Sequence, residues 1–443
     1  MKRRVLVAWV GALSGWLGCS PATSDAVFDT SGTGVGTGNG TGNGTGATGE
    51  GGSGQGGGGV TTITGSGGGA TGAGGGLGSG GGGGGTTTTT STVSDAGGPG
   101  GGKPDAGFCK SGPNDDADGD GFTPAQGDCN DCDKNVNPGA IEVIVNQPVG
   151  DGGIPAPADE DCNGKVDDVA TTCDDGIALA DFDAMNGARA IDLCKVASPG
   201  TWGVISAAYV RADGSPAGQS PQVGILDGFG PNVHVQLGKR MLGLSSGNAR
   251  IPGQPDACGT LSCYGSGPGS APPGFPQDVP NCAGSSEIND DIALEVKLRA
   301  PTNATGYSFL FDFYSFEYPE WVCTSFNDQF IALVNPPPLG AINGNISFDS
   351  KTNPVSVNIA FFDVCQGCAL GAGELAGTGF DTWNDAGATS WLKTQAPVTG
   401  GQEVSIRFAI WDTGDQAWDS TVLVDSFQWI ANGGTVVVDT GHH

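Results

Sequence analysis

Between residues 115 and 133 the chain reads DDADGDGFTPAQGDCNDCD. Asp116, Asp118 and Asp120 occupy alternate positions and are followed by Gly121 and Phe122. No lysine or arginine balances them within the stretch. Carboxylates held this close repel one another, and a bound divalent cation removes that cost. In a calcium loop the first, third and fifth side chains turn inward, and the seventh residue offers its carbonyl. Glycine at the sixth place permits the sharp turn. Asp116, Asp118, Asp120, Gly121 and Phe122 match that order. Position twelve is Gly127, so the closing carboxylate of an EF-hand is missing, and Asp128 stands one residue late as a substitute. No helical pattern flanks the loop.

A second stretch, ADEDCNGKVDD, repeats the logic. Asp159, Asp161 and Asn163 alternate, Gly164 makes the turn, Lys165 follows, and Asp167 or Asp168 completes the set. Between the two lies GDCNDCDKNVNPGAIE, with Asp128, Asn130, Asp131 and Asp133. The competing account is a solvated acidic loop; the repetition favours an ion. Hard oxygen donors of this kind suit calcium, and the number of clusters suggests two ions or more.

A second candidate site lies further on. Glu317, Asn327 and Asp328 occur in SFEYPEWVCTSFNDQFIALV, and Asp412, Asp415, Asp419 and Asp425 in WDTGDQAWDSTVLVD. Aspartate is common in turns for its own hydrogen bonding, so a calcium site and a set of turn carboxylates are both open. Catalysis has little support. A Ser-His-Asp or Cys-His arrangement needs a histidine. His234, in PNVHVQLG, is the only internal one and reads as a strand residue. There is no Gly-x-Ser-x-Gly, His-Glu-x-x-His or phosphate loop. Paired carboxylates can hydrolyse glycosides, but among 47 acidic residues a pair is not specific. The Cys-x-x-Cys pairs Cys129/Cys132 and Cys365/Cys368 are too far apart to read as one zinc site. Acidic surroundings raise a thiol pKa, so structural disulfides, within or between the pairs, are expected.

The chain that must position these groups has 443 residues, with 47 acidic against 18 basic and a formal charge of −29. Such a balance excludes nucleic acid and anionic lipid surfaces as natural partners. The N-terminus reads MKRRVLVAWVGALSGWLGCS. A basic head precedes an apolar run of 13 residues, Val5 to Leu17, the length of a secretory signal core and short for a bilayer span. Leu17-Gly18-Cys19 resembles a bacterial lipobox, with Trp16 where leucine is usual. The resemblance implies cleavage before Cys19, lipidation of its sulfur, and, with Ser20 next, sorting to the outer membrane of a Gram-negative bacterium. Removing Cys19 from the 13 cysteines leaves 12, an even number suited to disulfides in an exported protein.

Five segments follow: a signal peptide at 1–18, a lipidated start and disordered Gly/Thr/Ser-rich linker at 19–104, an acidic metal-binding module at 105–170, a β-rich domain at 171–432, and a tail at 433–443. The linker cannot bury enough apolar surface to fold and would span roughly 45–50 Å. The acidic module carries 15 acidic residues against 3 basic ones and needs ions or disulfides to hold together. In the β-rich domain, Ile177, Phe182, Met185, Ala188 and Ile191 suggest a helix face. Strand patterns then dominate. Ile292, Leu294, Val296 and Leu298 alternate with Ala293, Glu295, Lys297 and Arg299 as a half-buried strand. Tyr307, Phe309, Phe311 and Phe313 share one face, and Val355, Val357, Ile359 and Phe361, then Val404, Ile406, Phe408 and Ile410, repeat the theme. The fold expected is mostly β: an antiparallel, jelly-roll-like sandwich preceded by a small loop-rich calcium and disulfide module.

The pattern DADGDGF…GDCND.D…VNPGAIE…DEDCNGKVDD, over about 116 to 168, resembles the MopE-type metal-binding motif of bacterial surface proteins. It departs in the extra Cys132 and an insert near 147–157. That family is associated with copper. The donors here are carboxylates and carbonyls, whereas copper prefers imidazole or sulfur, and His234, His442 and His443 all lie far from the loops, so calcium is expected before copper. Cys129 and Cys162 precede Asn in matching contexts and are expected to pair. SFEYPEWVCTSFNDQFIALV, IWDTGDQAWDSTVLVDSFQWI, GILDGFGPN and GKRMLGLSSGNAR resemble the choice-of-anchor L domain of bacterial surface proteins over about 175 to 432. The resemblance implies architecture and no activity. Together these readings point to a non-catalytic, calcium-binding surface lipoprotein for adhesion or surface and matrix contact, with the membrane as partner through its lipid. The alternatives are a calcium-dependent glycan-binding module, suggested by Trp321, Trp383, Trp391 and Trp418 near acidic loops, and a carboxylate-dependent extracellular hydrolase. A surface protein or a glycan is the partner in the first two.

Overall fold

The computed structural model describes residues 111–144, 157–168, 171–263, 265–359, 361–383, 385–431 and 434–443. The signal segment, Cys19 and the linker expected at 19–104 lie outside the described residues. Two antiparallel sheets carry the rest. One has the order β1 (Gly203–Val210), β4 (Ile288–Arg299), β10 (Glu403–Thr413), β6 (Gln329–Asn335) and β7 (Val355–Ser356). The other runs β12 (Asp439–His442), β9 (Leu392–Pro397), β5 (Gly306–Ser315), β11 (Ser420–Ile430), β3 (Met241–Ser245) and β2 (Val223–Leu226), with β8 (Gly387–Ala388) against β5.

The side-chain period of two makes this pairing of sheets. Tyr307, Phe309, Phe311 and Phe313 project from β5 into one apolar cluster with Val404, Ile406, Phe408 and Ile410 of β10. Phe309 meets Phe408 edge-on at 5.0 Å between ring centres, and Phe311 meets Phe330 at 5.0 Å. These contacts join the two sheets face to face, and each buried ring contributes about 1.5–3 kcal/mol.

Three local expectations are corrected. The half-buried alternation expected along Ile292–Arg299 holds only from Glu295 onward, because a second apolar layer covers the outer face. Ala293, Ile331, Ala409 and Trp411 pack there, with the Phe275 ring edge-on to Trp411. The helix expected from Ile177 to Ile191 shrinks to α1 (Ala184–Arg189). Asp183 caps it by accepting from the Met185 amide, and the segment before it folds as turns. The strand expected from Val355 to Phe361 stops after Ser356, where the Ile359 amide turns back to the Ser356 carbonyl. Val355, Val357 and Ile359 are buried all the same.

The acidic module has one short 3-10 turn, Pro124–Gln126, and no strand among its described residues. It seats on the sandwich through backbone groups. Asn303 donates to the Ile141 carbonyl at 2.8 Å and accepts from its amide at 3.0 Å. Thr302 donates its amide to the Gly139 carbonyl and its hydroxyl to Asn137, and the Trp202 indole donates to the Ala140 carbonyl. Gly139 must lack a side chain here, since a Cβ would stand 2.8 Å from Thr302. Disulfides join Cys129–Cys162, as expected, and Cys173–Cys194, Cys258–Cys263, Cys282–Cys323 and Cys365–Cys368. Cys132 is also disulfide-bonded. One Cys-x-x-Cys pair thus closes on itself while the other splits.

Replacing Asn303 by Ala removes both bonds to Ile141. The expected result is faster proteolysis within 111–144, with the cleavage of the sandwich unchanged; equal protection of 111–144 in both proteins would show that the seat lies elsewhere.

Candidate metal centres

The two acidic loops share three of four hydrogen bonds by position and differ in the amide that reaches Oδ1 of the first carboxylate, the third residue on in one and the fourth in the other. In the first, Asp116 accepts from the Gly119 and Gly121 amides at 2.7 and 3.1 Å. Asp118 accepts from the Asp120 amide and Asp120 from the Phe122 amide. In the second, Asp159 accepts from the Asn163 and Gly164 amides at 3.0 and 2.9 Å, Asp161 from the Asn163 amide, and Asn163 from the Lys165 amide. Gly121 and Gly164 are both left-handed, at φ +95° and +87°. Each loop therefore curls its amides around the first carboxylate and leaves other oxygens pointing to a common centre. Asp116, Asp118 and Asp120 each place an oxygen within 4.8 Å of the others.

Asp128 and Asp131 join the first loop. Asp128 is 6 % exposed, and its Oδ2 and that of Asp118 are buried without a donor. Burial, then the charges of Asp120, Asp118 and Asp131, push the Asp128 carboxyl above its ordinary range; burial and Asp120 do the same to Asp118. Asp131 accepts from the Ala117 amide at 3.1 Å, tying the middle segment to the loop. Asp133 is not part of the group: it accepts from the Asn135 amide and side chain in an exposed turn. Asn130 contributes its amide to Asp128 and its carbonyl to a turn with Cys132 and Asp133. Lys165 pairs at 3.4 Å with Asp168, which also accepts from the Asn163 side chain. Asp167, left-handed at φ +53°, keeps a buried, donorless Oδ1.

Two residues that spacing alone did not single out, Glu142 and Glu160, join the second loop. Glu142 accepts from the Asp161 amide at 3.3 Å and the Asp167 amide at 2.9 Å. One of its oxygens lies within 4.8 Å of Asp159 and Asp161, and one within 4.8 Å of Glu160 and Asp167. Burial, then the neighbouring Glu160 and Asp161 charges, raise its carboxyl to about 7. Glu142 ends the quoted VNPGAIE run, but it reaches the loop only because the chain folds back 19 to 25 residues.

The sandwich holds a second gathering, at the end where both sheets meet. Glu317 follows β5, Asp328 precedes β6, Asp412 lies in β10 and Asp419 precedes β11. All are buried, at 2, 0, 0 and 4 % exposure, and Asp290 of β4 joins them at 1 %. Asp328 accepts from the Thr413 amide and the Ser420 hydroxyl. Asp419 accepts from the Cys263 amide, and Asp290 from the Gly267 amide. Both Asp412 oxygens, Glu317 Oε2, Asp419 Oδ1 and Asp290 Oδ2 are buried without a donor. The Ser246 hydroxyl close to Asp412 is engaged with the Ser420 carbonyl. No ion pair within 4 Å reaches any of the five among the described residues. Burial first, and then mutual repulsion, hold the Glu317 and Asp412 carboxyls well above their ordinary range. Burial likewise raises Asp328 to about 7 and Asp419 to about 8.

The other residues of that expected set are placed differently. Asn327 accepts from the Asn358 amide beside the group, and Asp415 is exposed at its rim, capping the Ala417 amide. Asp425 lies apart from the group: six strand residues beyond Asp419 amount to about 20 Å along β11. His234 is an exposed loop residue and not a strand residue. Trp321 and Trp383 flank Trp418 at 5.5 and 6.3 Å, and Trp391 packs, partly buried, on the same apolar cluster as Trp418.

These carboxyls set a pH dependence. A carboxyl that keeps its proton to about pH 7–8 in the fold, but only to about 4 when unfolded, leaves the native state with more protons bound across that window. Stability then falls as pH rises. In EDTA the melting temperature is expected to be lower at pH 8 than at pH 5.5. A melting temperature that rises with pH in EDTA would show that these carboxylates already have charge partners.

Residues 242–428 match the family described as the Choice-of-anchor L domain. No curated protein matches the chain. The matched stretch runs from β3 into β11 and holds most of both sheets, while β1, β2 and β12 complete them from outside it. Residues 242–428 are thus a choice-of-anchor L domain, a kind that points to a surface-associated or exported, non-enzymatic module.

Proposed function

We propose that this chain is a calcium-stabilised surface lipoprotein that holds its sandwich away from a membrane. In this reading Cys19 carries the lipid, the glycine-rich segment spaces the domain from the outer membrane or cell surface, and the sandwich meets another surface molecule. The observation that carries it is the repeated loop: two segments with three of four hydrogen bonds in common, each presenting converging carboxylate oxygens, with Lys165 paired to the outlying Asp168 and not to the converging carboxylates. The first set is Asp116, Asp118, Asp120 and Asp128, with the Phe122 carbonyl available as a further donor; the second is Asp159, Asp161, Asn163 and Glu142. Bound calcium would supply the charge that the sequence withholds, joining segments that share almost no apolar core. Copper fits less well, because the nearby Cys129 and Cys162 are joined to each other and no histidine is close.

Support for the non-catalytic reading includes the burial of Glu317 and Asp412 at 2 and 0 % exposure, which keeps a polymer substrate from them. One observation favours the glycan alternative: Trp383, 44 % exposed, stands with Trp418 and Trp321 beside Glu320. A glycan array with and without chelator tests it, and no calcium-dependent hit removes it.

Calorimetric titration of metal-free protein with calcium is expected to show two or more ions. At a hundredfold excess over Kd each ion adds about 2.7 kcal/mol of stability. Absence of heat at millimolar calcium, with identical melting in EDTA, would overturn the proposal. Glu142→Gln should weaken calcium affinity about 10–100-fold at the second loop, as loss of a supporting carboxylate does elsewhere. An unchanged affinity would remove Glu142 from the site.

A further inference from the structure

The tryptophans beside Glu320 are brought together by three segments, each fixed from within the sandwich. Trp321 lies in the turn after β5; its amide donates to the Glu317 carbonyl at 3.0 Å, and its carbonyl accepts from the Thr324 hydroxyl at 2.7 Å. Cys323 in the same turn is tied to Cys282. Trp383 follows the 3-10 turn Phe380–Thr382, whose buried Phe380 ring stacks on Phe316 at 4.3 Å. Trp418 lies in the connection between β10 and β11, with its amide donating to the Ser262 hydroxyl at 2.7 Å. It is left-handed at φ +68°, a conformation that bulky side chains rarely take.

Trp418 stands between the other two indoles, at 80° to Trp321 and 59° to Trp383. Phe326 extends the group, edge-on to Trp321 at 5.2 Å. Trp383 and Val322 are its open part, at 44 and 42 % exposure. Every charge along these segments is negative. Glu320 precedes Trp321, Asp381 and Asp385 stand two residues before and two after Trp383, and Asp415 stands three before Trp418. All four are exposed, and none takes part in an ion pair among the described residues. Residues 316–326, 380–391 and 414–419 contain no lysine, arginine or histidine. Burial, and after it the Asp385 charge, raise the Glu320 carboxyl above its ordinary range.

We infer that this face docks a partner protein through an arginine side chain, with the guanidinium on the open indole surface and its N–H groups donating to the carboxylates around it. The inference rests on the part of the proposed function in which the sandwich meets another surface molecule, and it names what that molecule must carry. A pyranose stacks its flat face on one open ring and leaves the surrounding charge in place. A guanidinium is planar, permanently charged and weakly hydrated, so it can take an indole face and neutralise that charge together. Angled rings with an acidic rim and no basic residue complement the second ligand. Rim charges of one sign also steer an oppositely charged partner toward the contact.

The test uses the full chain with calcium present, titrated with a soluble arginine-rich peptide and followed by tryptophan fluorescence. The same peptide with citrulline in place of arginine, and a neutral oligosaccharide, are the comparison probes. The arginine peptide is expected to bind saturably and more weakly as salt rises, and the other two not to bind. Trp383→Ala should weaken the arginine peptide about 5–30-fold. Glu320→Gln with Asp385→Asn keeps the shape of the face and should also weaken it, with a flatter salt dependence. Asp213→Asn with Asp439→Asn removes as much charge from the turn after β1 and from β12, and should leave the affinity unchanged. Equal affinity in all these variants would reduce the binding to general attraction by an acidic chain and overturn the inference. So would absence of arginine-peptide binding, or oligosaccharide binding that Trp383→Ala abolishes, which would make this a glycan face. Calcium uptake is measured on the same samples. Ions bound without peptide affinity refute this inference alone; peptide affinity without bound ions supports it and refutes the calcium reading.

Discussion

Buried negative charge without a basic partner is the constraint on which this fold turns. Fully buried carboxylates in proteins are ordinarily matched by arginine or lysine, because leaving one ion uncompensated costs several kcal/mol. Here the matching is rare. Arg211 holds Asp291 and Arg407 holds Glu295, but Asp290, Asp328, Asp412, Asp419, Asp174 and Asp425 are 4 % exposed or less with no ion pair among the described residues. Protons or metal ions must supply the difference, and which of the two does so is set by pH and ion supply. The strand core of phenylalanines is thereby coupled to the ionic conditions outside it.

The carboxylates reach their places by breaks in the β pattern. β4 and β10 lose register between Ile410 and Asp412, where Asp290 is left-handed at φ +52°. β11 does the same beyond Asp425, at Ser426. A bulge adds one residue and re-aims the side chains next to it. In each case a buried acid stands beside the break, Asp290 and Asp412 at the first and Asp425 at the second. The core clusters and the acid clusters are thus made by the same strands, the first by keeping the period of two and the second by departing from it.

That difference also decides what could be read from sequence. The alternating runs at 307–313 and 404–410 are local, and their strands formed as expected. The loops at 116–122 and 159–165 are local too, with donor and acceptor no more than five residues apart, and their spacing foretold the left-handed glycines. Glu142 was out of reach because its partners are 19 and 25 residues on. Asp290 was further still, since the register of β4 and the break in its pairing with β10 bring it to Asp419. Grouping Asp425 with Asp412 failed for the same reason: proximity along the chain is not proximity along an extended strand, where each residue advances about 3.3 Å. The alternation lost in β4 came from an outer apolar layer that no single strand announces.

The Cys129–Cys162 disulfide has a mechanical consequence. Tension entering the described chain at residue 111 and leaving toward the sandwich crosses that bond directly, so the 33-residue separation it spans is not stretched. The segment spared includes Asp131, Glu142 and the 137–141 stretch seated on Thr302 and Asn303. Cys173–Cys194 diverts the pull again, around α1, Asp174 and Asp192. A pull along the chain would therefore pass through Asp116, Asp118, Asp120 and Asp128, which precede Cys129, and bypass Asp131, Glu142, Asp159 and Asp161, which lie between the two cysteines.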